Sequence, residues 1–127
     1  MGALLDTHVF FWAMRGSANL SRRHRALIED RTQPIFVSAV TGCEIGIKVK
    51  TGKWPEAAPL LPDLSTKIVA AGFSLLSLTL AQAERAGSLD LVHRDPFDRL
   101  LAAQAIDLGI PIATVDREMA SLGCAVV

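Results

Sequence analysis

Short apolar runs alternate with helical patterns along the whole chain. The runs are rich in β-branched and large aliphatic residues, and the segments between them carry helical spacing or capping residues. We predict strands at 3–5, 35–38, 73–78, 110–115 and 124–127. We predict helices at about 7–14, 21–31, 40–51, 63–72, 80–87, 96–108 and 116–123, with a proline-rich loop at 54–62. This alternation is typical of an α/β fold in which helices cover both faces of a parallel sheet.

The length of 127 residues and the 50% hydrophobic content fit one domain, over 1–127, with one core. The longest strongly apolar stretch, 9–14, is much shorter than the roughly 20 residues that a membrane span needs. The first residues reach Asp6 without the basic and long apolar regions of a secretory signal. We therefore expect a soluble, cytoplasmic protein without a membrane partner. Cys43 and Cys124 match no metal or redox spacing, so we expect two reduced, buried thiols.

The charges balance, with 13 basic and 13 acidic residues. A net charge of zero argues against nonspecific binding of nucleic acid. Basic residues nevertheless cluster at 21–25 and 48–53. If several acids were gathered in one site, the remaining surface would carry a net positive charge. Each basic cluster alone, however, is also typical of an ordinary solvated helix face.

Four acidic residues follow predicted strands or lie near the start of the next helix: Asp6, Glu44, Asp98 and Asp116. Each alone has a simpler explanation, as a helix cap or, for Glu44, as a partner of Lys48 one helical turn later. Together they would meet at the edge where ligands bind in parallel sheets. Four carboxylates in one crevice repel each other unless a cation neutralises them. Ligation by oxygen alone suits Mg²⁺ or Mn²⁺.

The segment HRDPFDRLL, 93–101, contains two of the chain's acids three residues apart. Asp95 is well placed to cap a helix whose first residue is Pro96. Asp98 fits a capping box less well, because aspartate reaches back poorly. We therefore expect Asp95 to start the helix and Asp98 to point into the crevice.

A carboxylate-bound Mg²⁺ keeps open positions and bridges to phosphate oxygens, so hydrolysis of a phosphodiester fits the predicted site. The sequence lacks a GxxxxGK loop, a GxGxxG loop and a Ser-His-Asp arrangement.

Four segments resemble the successive motifs of PIN-domain ribonucleases, specifically the VapC-type toxins of toxin–antitoxin pairs. They are LLDTHVFFW (4–12), SAVTGCEIGIKVKTGKW (38–54), HRDPFDRLLAAQA (93–105) and IATVDREMASLG (112–123). The resemblance implies a PIN-like three-layer fold with a parallel, about five-stranded sheet. It also implies an endoribonuclease dependent on one or two Mg²⁺ or Mn²⁺ ions, forming a homodimer that a small VapB-type antitoxin inhibits.

By the same resemblance, the family's acidic metal-binding and catalytic positions fall on Asp6, Glu44, Asp98 and Asp116. Supporting positions fall on Thr7, Ser38, Asp95 and Thr114. Basic residues near these acids are candidates for RNA binding or for ordinary surface pairing: Lys48, Lys50, Lys53, Arg94, Arg99 and Arg117.

The third predicted helix departs from the family pattern. Cys43 stands where the resemblance implies a bulky aromatic, and Gly42 and Gly46 each weaken the helix by roughly 1 kcal/mol relative to alanine. On a helical wheel Val40, Cys43 and Ile47 form one apolar stripe. A second apolar pair, Ile45 and Val49, favours either a groove for a partner or burial between layers.

Two other functions fit the sequence less well than a nuclease does. A phospho-accepting receiver domain needs an acid after a middle strand and a lysine after the last one, and the runs at 73–78 and 124–127 provide neither. A catalytically silent PIN-fold module that binds an antitoxin-like partner is the stronger rival. The presence of all four expected acids favours an active enzyme.

Overall fold

The computed structural model describes residues 2–90 and 95–127, and in these residues the sheet has four strands, all parallel. The strands are β1 (Ala3–Leu5), β2 (Ile35–Ser38), β3 (Ser74–Leu76) and β4 (Ile112–Ala113). Their order across the sheet is β3-β2-β1-β4. The predicted α/β class is confirmed. Because the strands are parallel, their carboxyl ends share one edge of the sheet.

The fifth predicted strand is reduced to a single parallel bridge between Ile112 and Val126. Ile112 binds this segment on both sides, by donating to the Ala125 carbonyl at 2.9 Å and accepting from the Val127 amide at 2.9 Å. The segment therefore extends the sheet beyond β4. It is too short to count as a strand, which accounts for the difference from the predicted five.

The helices are α1 (Thr7–Arg15), α2 (Arg22–Glu29), α3 (Ala39–Lys50), α4 (Leu64–Ala70), α5 (Leu80–Ser88) and α6 (Pro96–Leu108). The predicted loop at 54–62 contains a 3-10 helix, Pro55–Leu60, and the last predicted helix is also 3-10, Arg117–Leu122. Pro59 lies inside the first of these, and a proline cannot donate the backbone hydrogen bond that an α-helix needs. In the described residues, no helix combines the length and the apolar character required to span a membrane.

The two faces of the sheet are covered by different hydrophobic clusters. Ala3 and Leu5 pack with Phe10 and other side chains on one face, whereas Leu4 packs with Leu101 on the other. This split follows from the strand geometry, in which successive side chains point to opposite faces. The fold is therefore a three-layer arrangement, and β1 is at its centre.

Helix α3 buries one residue of the stripe that the helical wheel predicted, Val40, and leaves the other two exposed. Ile45 is fully buried and Val49 packs partly against the core, whereas Ile47 is 48% exposed. Cys43, predicted to be a buried thiol, is exposed, and Cys124 is buried as predicted. Of the two alternatives for Ile45 and Val49, the structure shows burial between layers and not a groove, because Ile45 is part of the core and Val49 packs against it. The wheel failed because the buried face also carries the polar residues Thr41 and Glu44.

Candidate active site

Asp6 is the residue at which β1 ends and α1 begins. Its backbone is extended, its amide donates to the Ala113 carbonyl at 3.1 Å, and one carboxylate oxygen accepts from the Val9 amide at 2.9 Å. The other oxygen accepts a short hydrogen bond from the Thr114 hydroxyl. Asp6 is thus the N-cap of α1, and it is also joined to the neighbouring strand by a buried side-chain contact.

The pKa of Asp6 is raised above its ordinary value, chiefly because burial penalises the charged form. The hydrogen bonds from Thr114 and Val9 lower it, as does the charge of His8, while the negative charge of Glu44 raises it. Asp6 and Glu44 are therefore close enough to interact electrostatically. A divalent cation beside Asp6 would favour its charged form, as any nearby positive charge does.

Thr114 connects Asp6 to Asp116. The buried Thr114 hydroxyl donates to Asp6 and accepts from the Asp116 amide at 3.0 Å. Asp116 is partly buried and caps the 3-10 helix by accepting from the Glu118 amide at 2.9 Å. One hydroxyl thus fixes the relative positions of two acids that follow different strands.

Replacing Thr114 tests this connection. Thr114→Val keeps the shape but removes the hydroxyl, so we expect the free energy of unfolding to fall by about 1–3 kcal/mol. We expect metal affinity and any metal-dependent activity to fall about 10- to 100-fold. The loss of a hydrogen bond that lowers the pKa of Asp6 should also move the acid limb of the pH–rate profile upward. Thr114→Ser is the matched control, and equal losses in both variants would contradict the role of the hydroxyl.

Glu44 is buried within α3 and has a polar contact on each carboxylate oxygen. One oxygen accepts from the Thr7 hydroxyl at 2.6 Å, and the other pairs with the Lys48 ammonium at 2.6 Å. The Thr7 hydroxyl also lies 3.1 Å from that of Thr41. The predicted pair with Lys48 is present, but Glu44 remains inside the fold. A buried carboxylate held in this way is fixed in orientation.

The two aspartates of 95–98 occupy different environments. Asp95 is exposed and caps α6, accepting from the amides of Phe97 at 2.9 Å and Asp98 at 3.2 Å. Asp98 is partly buried in the first turn of α6. The Lys48 ammonium lies 6.0 Å from the centre of the Phe97 ring, which places the start of α6 beside the Glu44–Lys48 pair. The capping prediction for Asp95 is confirmed.

Ser38 supports the fold by joining the start of α3 to α6. It caps α3 by accepting from the Val40 amide at 3.0 Å and donates to the buried Gln104 side chain. Gln104 in turn donates to the Ser77 carbonyl and to the Gln82 side chain, both at 3.1 Å. The sequence analysis missed Gln104, and only its place on the apolar face of the α6 pattern could have suggested it.

In the described residues, no three His, Cys, Asp or Glu side chains form a group that could hold a metal ion. The structure instead links Asp6 to Asp116 through Thr114 and places Glu44 within electrostatic reach of Asp6. Mg²⁺ is usually bound by one or two carboxylates, with water and substrate phosphates as its remaining ligands. The oxygen donors at Asp6 and Asp116 therefore fit Mg²⁺ or Mn²⁺ in chemistry, without a closed cage of protein ligands.

The basic candidates differ in their surroundings. Lys50, Lys53 and Arg117 are exposed, and Lys48 is partly buried against Glu44. Arg94 lies outside the described residues.

Arg99 requires a correction, because it is buried instead of exposed. Its guanidinium donates to the backbone carbonyls of Leu89 and Asp90, each at 2.6 Å, and of Gly87 at 3.3 Å. These carbonyls lie at the carboxyl end of α5, where a cation is favoured. This geometry assigns Arg99 to joining α5 and α6, and it removes the case for RNA binding.

We expect Arg99→Met to lower the free energy of unfolding by about 2 kcal/mol or more, because charge-assisted hydrogen bonds to buried carbonyls are lost. Urea denaturation measures this change. For RNA binding, the slope of log affinity against log salt should stay the same, whereas loss of a phosphate contact would reduce it by about 0.7. A reduced slope in fully folded Arg99→Met would restore the RNA-binding role.

The chain matches the PIN domain family over residues 3–123. No curated protein sequence matches it. Among solved structures, it resembles a chain of VapBC from Salmonella typhimurium bound to DNA, with 18% identity and a TM-score of 0.72 over 100% of this chain and 97% of that one. It also resembles a chain of VapBC2 from Rickettsia felis bound to promoter DNA, with 16% identity and a TM-score of 0.70 over 100% of this chain and 98% of that one.

VapC20 from Mycobacterium tuberculosis, described as a toxin that cleaves the sarcin–ricin loop, is a third such structure. It has 18% identity and a TM-score of 0.61 over 98% of this chain and 97% of that one. At these identities the structural likeness concerns the fold, and it agrees with the family match over nearly the whole sequence. The chain belongs to the PIN-domain family and has the fold seen in VapBC toxin–antitoxin complexes and in VapC20.

Proposed function

We propose that this protein is an endoribonuclease toxin that hydrolyses RNA phosphodiester bonds with Mg²⁺ or Mn²⁺ and is inhibited by a VapB-type antitoxin. The observation that carries the proposal is the environment of Asp6. This acid is buried at the carboxyl end of the central strand, joined to Asp116 through Thr114 and electrostatically coupled to Glu44. Membership of the PIN-domain family supports nuclease chemistry at that position.

In this proposal Asp6, Asp98 and Asp116 hold the ion directly or through water. When bound, the metal lowers the pKa of a water molecule and stabilises charge on the phosphate oxygens. Glu44 is oriented by contacts on both carboxylate oxygens, from the Thr7 hydroxyl and from the Lys48 ammonium. From there it orients the attacking water or helps to hold a second ion.

The RNA backbone would be bound by exposed cations at the rim of the site. Three of them are exposed, namely Lys50, Lys53 and Arg117. Lys48 is partly buried and forms an ion pair with Glu44. Such side chains recognise phosphates without reading sequence. Arg94 keeps its predicted role in phosphate binding as part of this proposal.

The antitoxin assignment is supported by the solved structures that share the fold, among them VapBC complexes and a toxin–antitoxin complex from Klebsiella pneumoniae. We further propose a homodimer. Apolar side chains remain exposed on α4, β3 and the start of α5: Val69, Leu75, Leu78 and Leu80, with Leu80 87% exposed. Light scattering with size-exclusion chromatography, with and without antitoxin, tests the dimer, and a strict monomer in both cases would overturn it.

The nuclease is tested with a panel of transfer, ribosomal and messenger RNAs, incubated with Mg²⁺, with Mn²⁺ or with a chelator. We expect endonucleolytic cleavage of at least one RNA with metal, none with chelator, and inhibition by the cognate antitoxin. Absence of metal-dependent cleavage from a folded protein that still binds an antitoxin would instead identify a catalytically silent interaction module.

A further inference from the structure

An aromatic pocket opens beside the acids, formed by α1 and the residues that follow α3. We use this name for the cavity of about 490 Å³ lined by His8, Phe11, Trp12, Arg15 and Trp54. Its size is within the usual range for small-molecule sites. The chain has two tryptophans, and both line this pocket.

The rings of the pocket pack in a way that leaves stacking surface for a ligand. The His8 ring stacks on Trp54, with centroids 4.8 Å apart and planes 26° apart, and lies 5.9 Å from the Trp12 ring. Phe11 supports Trp54 from 4.9 Å. Trp54 is 9% exposed, whereas His8 is exposed and Trp12 is partly exposed. Trp54 therefore forms the base of the cluster, and the outer face of His8 with the side of Trp12 faces the cavity.

Two residues that line the aromatic pocket, His8 and Trp54, lie close to residues of the proposed active site. His8 lies two residues after Asp6, in the first turn of α1. On the other side, the Lys48 ammonium lies 5.9 Å from the Trp54 ring centroid while it pairs with Glu44. A ligand in the pocket would thus be next to a phosphate held at the acids.

The charged and polar side chains around the pocket favour a nucleotide over a purely apolar group. Arg15 lies over the Phe11 ring at 5.6 Å and donates to the Glu56 carbonyl at 3.0 Å, so its cation is fixed at the rim. Ser17, Asn19 and Glu56 also line the cavity, and the Asn19 amide can donate to and accept from a base edge. Single-stranded RNA is recognised by stacking of bases on aromatic rings and by hydrogen bonds to base edges.

We propose that the aromatic pocket binds one unpaired nucleobase of the RNA substrate, stacked on His8 and Trp12, next to the phosphate that is cut. This inference rests on the proposed ribonuclease function, because it assigns a substrate subsite to the same active site. It implies that cleavage requires an unpaired base at one fixed position from the scissile bond.

The two tryptophans report this binding directly. The full chain, in chelator so that no cleavage occurs, is titrated with each nucleoside 5′-monophosphate and with ribose 5-phosphate, and tryptophan emission is excited where bases absorb little. We expect saturable quenching by nucleotides and none by ribose 5-phosphate. His8→Ala should weaken nucleotide binding about tenfold, which corresponds to about 1.4 kcal/mol and lies within the range for base–aromatic stacking. His8→Phe restores a ring and should restore binding.

A second measurement uses an RNA that the protein cuts. Replacing the nucleotide in the subsite by an abasic one should raise KM in the unchanged protein and have little further effect in His8→Ala. Equal quenching by ribose 5-phosphate, or no quenching by any nucleotide, would overturn the base subsite while leaving the nuclease in place. Quenching by nucleotides in a protein that cuts no RNA would overturn the nuclease proposal and, with it, the role of the pocket as a substrate subsite.

Discussion

Asp6→Asn is expected to abolish metal-dependent RNA cleavage and, at the same time, to make the metal-free protein more stable at neutral pH. Removing a group that only supports a metal ligand usually costs 10- to 100-fold in metal affinity or activity, so removing Asp6, a ligand in the proposed site, should cost at least about 100-fold. The gain in stability follows from burial. A carboxylate that is costly to ionise inside the fold is replaced by a neutral side chain of the same shape.

The difference in stability between the wild type and Asp6→Asn should depend on pH in a defined direction. Because the folded-state pKa of Asp6 is raised above its ordinary value of 3.8, the folded state holds this proton to higher pH than the unfolded state does. The wild type should therefore lose stability, relative to Asp6→Asn, as pH rises from about 3.8 through the folded-state pKa. Thermal unfolding of both proteins across this interval, without metal, measures the difference.

With metal bound, the wild type should become more stable than Asp6→Asn. Saturating Mg²⁺ or Mn²⁺ binds the folded wild type and should raise its free energy of unfolding, by about 2.7 kcal/mol at 100 times the dissociation constant, with little effect on Asp6→Asn. Equal stabilisation of both proteins by metal would exclude Asp6 as a ligand. Retained cleavage by Asp6→Asn would remove it from the catalytic site.

Asp98→Asn and Asp95→Ala are expected to fail in different ways. Asp98→Asn should reduce cleavage at least about 100-fold with little change in stability, because the proposal makes this carboxylate a metal ligand. Asp95→Ala removes the side chain that accepts from the amides of Phe97 and Asp98. It should therefore lower the free energy of unfolding by about 1 kcal/mol.

Cleavage rates must be compared at equal folded fraction, with circular dichroism and urea denaturation of both variants. Asp95→Ser keeps a capping oxygen and serves as the matched control. If Asp95→Ala and Asp98→Asn lose activity equally with both folds intact, Asp95 is also part of the metal site. If Asp98→Asn retains activity, the metal ligands must be sought elsewhere.

Local signals in the sequence predicted most of the framework. The Ser21 cap of α2, the Asp95–Pro96 start of α6 and the glycine after it are each observed. These features depend on hydrogen bonds between neighbours in the chain, so local pattern is sufficient to find them. The last strand was overpredicted, because the apolar run at 124–127 reports burial and contains no information about the length of its ladder.

The errors at the site arise from polar residues inside the fold. The sequence favours a surface position for Arg99, because arginine is seldom buried. Nothing in the sequence shows that the end of α5 lies against this side chain. The same holds for the Ser38–Gln104 contact, which joins residues far apart in the chain. Asp6 was found because it follows a strand, whereas its coupling to Asp116 depends on the parallel register of β1 and β4.

The Glu44–Lys48 ion pair determines what a divalent ion would have to displace in the proposed metal site. Helix α3 carries its own ammonium counterion one turn after the buried acid, because the Lys48 ammonium lies 2.6 Å from a Glu44 carboxylate oxygen. At Asp6 the residues 2–90 and 95–127 provide hydroxyl and amide donors and no Lys or Arg ion pair. In the proposed metal site, an ion would therefore compete with a proton at Asp6 and with the Lys48 ammonium at Glu44. Binding at the Glu44 oxygen that pairs with Lys48 would require that ion pair to open, whereas binding at Asp6 would require no ion pair to open.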